Sequence, residues 1–486
     1  MLNRSRDPAL ARKWWVVLVA LFTLLPASPL LADWQVTDYV GTDEDPAIAW
    51  NGEYYLIVWT RHQNDTTYVY GQRVTSSRQF VGDEFPIWDP IVSSFPGDAR
   101  YAHVASSGGG GSKWLVVWRN EYGGAMEIRG RIVNSDGTLE ASVLTVGTTD
   151  YFSPFPVVAW NGSKWLVAWE GYESSYRYIE GRLVYTNGTM GTEFVIDQEA
   201  SIHKYRPRVG ALGSNFFAAW MDRRDGVYNI YGKPIDINGN PGARVQVSSC
   251  DGTDYTNSVS GGSSYFLVTW RCLGTGGNAH IWGRRVNSAG TAAVGVKFEI
   301  SSDQINNSGE AAWTGSYFKV AYDLTSLGPY YRPVYEDGSL GSEIDLSSLL
   351  SSGVGTYVSN AQGDTNCLCV WEANIGNRDI YTDGTGEVTS VEPDRTLTVS
   401  RALSVVPNPL SPGCGRVEFS LDRRTTVRID VYDIAGRRVA TVLSKELGSG
   451  EHSCEWNPRG LPSGLYLVRL AAEGGPPVTR KVVYLR

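Results

Sequence analysis

Charged residues recur just beyond a series of aromatic positions in this chain: Arg61, Arg119, Glu170, Asp222, Arg223, Asp225, Arg271, Asp323 and Glu372. A second series, Asp43, Tyr101, Tyr151, Tyr205 and Tyr255, stands shortly before apolar runs. Gathered on one face, tyrosines and mixed charges suit a polar ligand, because rings stack on it while charges orient it. The candidate binding set is therefore Arg119, Tyr151, Glu170, Tyr205, Asp222, Arg223, Tyr255, Arg271, Asp323 and Glu372. Two carboxylates on neighbouring repeats, such as Glu170 and Asp222, are also the equipment of glycoside hydrolysis. The plain competing reading is a set of solvated loop residues bridging one another. No nucleophile motif, phosphate loop or zinc-helix signature accompanies them, and only 5 His occur, so no catalytic residue is assigned. No cofactor or metal is expected either. The calcium loop of alternating acids ending in Glu is absent, although calcium stays open as a loop ion.

The elements that must position these residues repeat. Apolar strands end on Trp59, Trp118, Trp169, Trp220, Trp270, Tyr322 and Trp371, at steps of 59, 51, 51, 50, 52 and 49 residues. Such a period, in a chain rich in short strands, is the signature of β-propeller blades. In the third copy, Val157–Trp160 reads as a first strand, Asn161-Gly162 as a tight turn and Trp165–Trp169 as a second strand. Tyr178–Val184 and Glu193–Ile196 complete four strands around the turn Asn187-Gly188. The second strands are almost wholly apolar, as in Tyr55–Trp59 and Trp114–Trp118. Their aromatic is expected between blades rather than on a sugar-stacking surface. Gly71, Gly130, Gly181, Gly232 and Gly283 also recur, with Arg131, Arg182, Lys233 and Arg284 following four of them. One ligand rarely needs the same cation on every blade, so these read as bonds between blades. The Ser-x-Asp-x-Gly-x-Thr-Trp turn of sialidase-type propellers does not occur. The first blade carries an insertion from Trp88 to Tyr101.

The last repeat lacks a fourth strand, whereas Trp34–Thr37 sits where a fourth strand would precede Trp59. This N-terminal strand is expected to complete the seventh blade and remove a sheet edge. Upstream, basic residues Arg4, Arg6, Arg12 and Lys13 and the apolar run Trp14–Leu25 read as an export signal spanning residues 1–32. The run is too short for a spanning helix, and no later segment could cross a bilayer as one. Of six cysteines, Cys250 with Cys272 and Cys414 with Cys454 are candidate disulfides. Cys367 and Cys369 point in parallel from one strand and are expected as buried free thiols. The net charge is −8, yet 13 Lys and Arg face 8 Asp and Glu from Thr398 onward, so the propeller body is strongly acidic. Nucleic acid is thereby an unfavourable partner.

From about Leu403 the period changes. Pro407-Asn408-Pro409, Val431-Tyr432-Asp433-Ile434-Ala435-Gly436-Arg437, Trp456-Asn457, Ser463-Gly464-Leu465-Tyr466 and a basic terminal strand follow in order. Their strand pattern reads as a small β-sandwich. Together they resemble the C-terminal sorting domain of the type IX secretion system and the related Ig-like domain of the flagellar hook-capping protein. The resemblance covers nearly all of 403–486 and implies transport across an outer membrane through the secretion machinery. Asn457-Pro458-Arg459-Gly460 replaces the more usual Asp-Gly after Trp, and Cys414 and Cys454 are extra to the pattern.

The sequence thus predicts an all-β protein. Residues 33–386 form a seven-bladed propeller of four-stranded blades, 387–402 a linker, and 403–486 an Ig-like sandwich. The expected role is an exported or cell-surface protein whose propeller binds a glycan or protein without catalysis. An extracellular glycoside hydrolase or lyase, and a structural envelope component, are the competing expectations.

Overall fold

The computed structural model describes residues 34–382 and 401–484, except 38, 40, 64, 90–96, 110–111, 151–153, 250–251, 275–276, 302–303, 325–327, 347–354, 363–366, 376, 407–414, 422–424, 434–436, 449, 459 and 473–477. The expected export signal lies outside the described residues, as does all but the end of the expected linker. Every regular element among the described residues is a β-strand, and no helix there is long and apolar enough to cross a membrane.

Five separate four-stranded antiparallel sheets span 98–149, 157–197, 204–246, 253–299 and 305–345. Two further units, 42–88 and 355–382 with Trp34–Gln35, are joined into one sheet by the single parallel pair Thr42 and Arg378. The innermost strand of each unit packs on the next, and Gly355–Gln362 packs on Thr42–Trp50. Among the described residues, seven units therefore close a propeller ring. Glycines 52, 137, 162, 188, 239 and 338 take positive φ in the hairpin turns, the conformation that explains their place after Asn or Asp.

The second strand of each blade is buried on both faces. Trp59, Trp118, Trp169, Trp220, Trp270, Tyr322 and Trp371 are each 0% exposed, sealing one blade against the next. Truncating one of these aromatics to Ala would cost about 3–5 kcal/mol.

A cation also crosses each described seam from the second to the sixth blade. The Nε of Arg131, Arg182, Arg284 and Arg332 donates to a carbonyl of its own blade (Glu140, Gly191, Gly295, Gly341). Their Nη1 donates to the preceding blade's fourth strand, at Ile87, Val146, Val247 and Ile300, over 2.7–3.1 Å. Lys233 Nζ reaches Ile196 O at 3.1 Å in the same way. Arg332 escapes the glycine pattern in sequence because Tyr331 precedes it. In the first blade Gln72 stands at this position and, among the described residues, bonds its own blade, at Arg73 O and Gly82 O.

Closure follows the same plan as the other fourth strands. Trp34 pairs with Thr382 and Gln35 with Tyr381, and Val36 N donates to Ile380 O at 2.7 Å. Val247 and Ile300 make the matching bonds to Ile230 and Ile281. Thr37 Oγ1 accepts the Ile380 N–H at 3.0 Å, as Ser248 and Ser301 hydroxyls accept those of Ile230 and Ile281. The N-terminal strand is thus chemically a fourth strand like the rest.

Cys367 and Cys369 are buried free thiols, and Cys272 is disulfide-bonded, its expected partner Cys250 lying outside the described residues. The expected Cys414–Cys454 bridge is corrected. Cys454 faces Val417 across its ladder and carries a free, half-buried thiol, while Cys414 lies outside the described residues.

Residues 401–484 form a three-stranded sheet, Arg401–Val406, Gly415–Leu421 and Gly450–Trp456, and a four-stranded one. The second runs Arg438–Leu447, Thr425–Asp433, Gly464–Ala472, Val478–Tyr484. Alternate residues, Val417, Phe419 and Leu421 against Val427, Ile429 and Val431, meet in one core with Trp456, Tyr466, Val468 and Leu470. The sequence motifs here are structural. Asp433 accepts the backbone N–H of Arg437 at 3.0 Å and its Nε at 2.8 Å, Tyr466 hydroxyl caps Pro462 O at 2.7 Å, and Trp456 meets Tyr466 edge-on.

Candidate functional site at the channel mouth

Each inner strand places one residue opposite the position that precedes the second-strand aromatic. These are Ala47, His103, Val157, Arg208, Ser258, Glu310 and Ser359. With Ile48, Val104, Val209, Val259 and Ala311 they line a central cavity of about 160 Å³. Small residues keep it open at most positions. His103 accepts the Val158 N–H on Nδ1 at 3.4 Å, and burial together with the Arg208 charge pushes its pKa down to about 3, so it is neutral. Burial likewise lowers the Arg208 pKa, opposed by the charges of Glu310 and Glu170.

Immediately before this ring the inner strands bulge. Asp45, Tyr101 and Arg206 adopt φ of +54°, +56° and +48°, and pairing shifts register across them. A left-handed L-residue costs roughly 1–2 kcal/mol, so something must hold it. At Asp45 and Arg206 carboxylates from the preceding blade do so. Glu170 Oε1 accepts the Arg206 N–H at 2.7 Å and Oε2 the Phe155 N–H at 2.6 Å, and Glu372 Oε2 accepts the Asp45 N–H at 3.4 Å. Burial pushes Glu170 up to about 7 despite these bonds. Asp45 is also pushed up to about 7, by burial and by neighbouring Glu44 and Glu372.

The bulges at Tyr101 and Arg206, with neighbouring strands and loops, carry a belt of rings and guanidiniums around the mouth. Arg119 lies over Tyr101 at 5.0 Å, and Tyr101 meets Phe155 at 4.3 Å. Arg206 lies 5.3 Å from Phe155 and 6.0 Å from Tyr255, which Arg271 covers from 5.4 Å. Beside it, Arg177 lies 4.1 Å over Tyr205, Tyr205 meets Tyr228 edge-on at 5.4 Å, and Arg223 covers Tyr228 at 5.6 Å. Each arginine contact sets a cation against a ring face. Arg206 and Arg223 are exposed, while Tyr101, Phe155, Tyr205, Tyr228, Tyr255 and Arg271 are half-buried.

Among the expected site residues, the belt brings together Arg119, Tyr205, Arg223, Tyr255 and Arg271. Tyr151 lies outside the described residues. The acids belong elsewhere. Glu170, Asp222, Asp323 and Glu372 are at most 4% exposed, because the second strand stays sandwiched between blades beyond its aromatic. Asp222 accepts Trp220 Nε1 at 3.2 Å and Arg224 at 2.8 and 3.0 Å, with Lys204 Nζ at 3.9 Å. The pairing of Glu170 with Asp222 as hydrolytic acids is therefore corrected: both Glu170 oxygens hold backbone, and Asp222 belongs to a buried ion network. Among the described residues no group of three or more His, Cys, Asp or Glu is placed to hold a metal ion.

Sequence reasoning missed Phe155, Arg177, Arg206 and Tyr228. The only available signal was their closeness to Tyr151, Tyr205 and Tyr255, since a bulge at a non-glycine residue leaves no mark in composition.

No curated protein matches the chain. Among solved structures, Trypanosoma rangeli sialidase is similar at 10% identity and a TM-score of 0.44, over 93% of this chain and 90% of that one. The polysaccharide lyase Uly1 is similar at 9% identity and a TM-score of 0.45, over 71% and 90%. Neither reaches a level at which residues correspond. The tail is another matter, because its motif residues build the turns and core of the sandwich described above. Residues 404–484 match the family described as the secretion system C-terminal sorting domain, and this sorting tail marks the protein for export to the cell surface or the medium.

Proposed function

We propose that the propeller is a non-catalytic recognition module whose ligand is a glycan bound at the channel mouth. One observation carries this reading: the continuous belt Arg119, Tyr101, Phe155, Arg206, Tyr255 and Arg271, which spans several blades with partly exposed rings and hydrogen-bond donors. Rings that alternate with donors suit a polyhydroxylated chain better than an apolar peptide. The sorting tail supports a setting outside the cell, where such ligands are met. Glu170, beside the belt, is engaged in holding backbone with both oxygens, which supports a non-catalytic role.

A glycan array probed with the full chain tests this. Reproducible hits that vanish in Tyr255→Ala and Phe155→Ala, both still folded by circular dichroism, are expected. A blank array, or hits indifferent to both variants, would move the ligand to a protein or the chain to a scaffold. A hydrolase or lyase is the second reading, favoured by the Glu170 carboxyl lying near 7. Release of reducing ends from an array-positive glycan, lost in Glu170→Gln, would establish it.

A further inference from the structure

The belt's chemistry narrows the ligand class. Among the described residues, Arg206, Arg223 and Arg271 have no carboxylate within ion-pair distance. Arg271 Nε is buried without a hydrogen-bond partner among the described residues. Guanidiniums that no carboxylate neutralises suit an anionic acceptor that arrives from outside. Meanwhile Glu170 and Asp222, the acids that could have neutralised these arginines, spend their oxygens on backbone N–H groups, Trp220 and Arg224.

A cationic mouth thus sits in a chain whose net charge is −8. We infer that the mouth selects anionic glycans, carrying carboxylate or sulfate groups, over neutral ones, with Arg206 and Arg271 as the selecting residues. This rests on the glycan reading above. The rings lock the guanidiniums in place, so little side-chain freedom is lost when an anion binds. Arg206 is held further by its own backbone N–H on Glu170 at 2.7 Å, which fixes the bulge from which it projects. Both anion types present oxygen acceptors that a planar guanidinium meets with paired N–H donors.

The test is a titration of the full chain against three panels: neutral oligosaccharides such as cellohexaose, carboxylated ones such as oligogalacturonates, and sulfated ones such as carrageenan fragments. Binding to one or both anionic panels, at least about tenfold tighter than to the neutral panel and weakening with added salt, is expected. Arg206→Gln and Arg271→Gln should each lose about tenfold or more with unchanged melting temperature. A preference for carboxylated or for sulfated chains identifies the anion, and either supports the inference. Equal binding of neutral glycans, unaffected by Arg206→Gln, overturns the anionic inference and leaves the glycan reading standing. Silence from all three panels overturns both.

Discussion

Between consecutive blades one cation returns, as Arg131, Arg182, Lys233, Arg284 and Arg332, and donates to the same carbonyl of the preceding blade each time. Around the mouth the side chains do not repeat: the positions two before the ring residue hold Asp45, Tyr101, Phe155 and Arg206, and the ring beneath them alternates small residues with His103, Arg208 and Glu310. Both regions are built on the same repeated strands. Where every blade solves the same mechanical problem, chemistry repeats. Where the blades converge on a single axis, each contributes once, so individuality concentrates there. That contrast separates residues that hold the ring together from residues that can recognise something.

The contrast can be broken most forcefully at the closing seam, which has Gln72 in place of a cation and relies on the N-terminal strand. Val36→Asp should cost about 3–5 kcal/mol, because it places a charge at a position only 9% exposed, and denaturant unfolding of the full chain would show it. If stability is unchanged, the strand does not close the ring. A repeated bolt should matter less: Arg284→Met is expected to cost about 1.5–3 kcal/mol by the same assay, since charged donors to Val247 and Gly295 carbonyls are lost.

The two regions should also separate by pH. Glu170 has its pKa raised from 4.5 to about 7, so between those values the folded chain binds more protons than the unfolded one. Its stabilising contribution is complete below about 4.5 and is lost as pH rises through about 7, a change of order 1–3 kcal/mol. Asp45, raised to about 7 as well, adds to the same trend. Glu170→Gln should flatten the decline in stability between these pH values, whereas Arg284→Met should leave its slope untouched. The smallest effect belongs to the tail. Cys454→Ser should change unfolding by less than about 1 kcal/mol, and a reductant should leave the isolated sandwich transition where it was.

Much of the ring was legible because blade-making residues obey simple periods. Apolar second strands, Asn-Gly turns and the N-terminal strand all follow from alternation and turn chemistry, and the bolts from a recurring Gly and cation. The mouth was only half legible. Tyr205, Tyr255, Arg119, Arg223 and Arg271 could be placed on one face, but Arg206 could not, because the register shift between Tyr205 and Arg208 resets which side chains face the axis. The acids misled for a related reason. Glu170 and Glu372 follow their aromatics like loop residues, yet the strands continue past them, to Glu173 and Ile375.

The bond from Ile380 to Thr37 joins residues 343 positions apart, and this sets the order in which the molecule can assemble. Bringing such distant segments together in a disordered chain would cost about 5 kcal/mol in lost freedom, more than two strand bonds return. The intervening blades must therefore stack first and carry the two segments to each other, so docking comes late and locks everything already formed. Until Ile380 has been synthesised, the strand Trp34–Gln35 lacks the partner it pairs with in the folded chain. A nascent polypeptide with its first strand waiting for its seventh blade stays open to threading, and it turns into a closed, hard-to-unravel body in one final step.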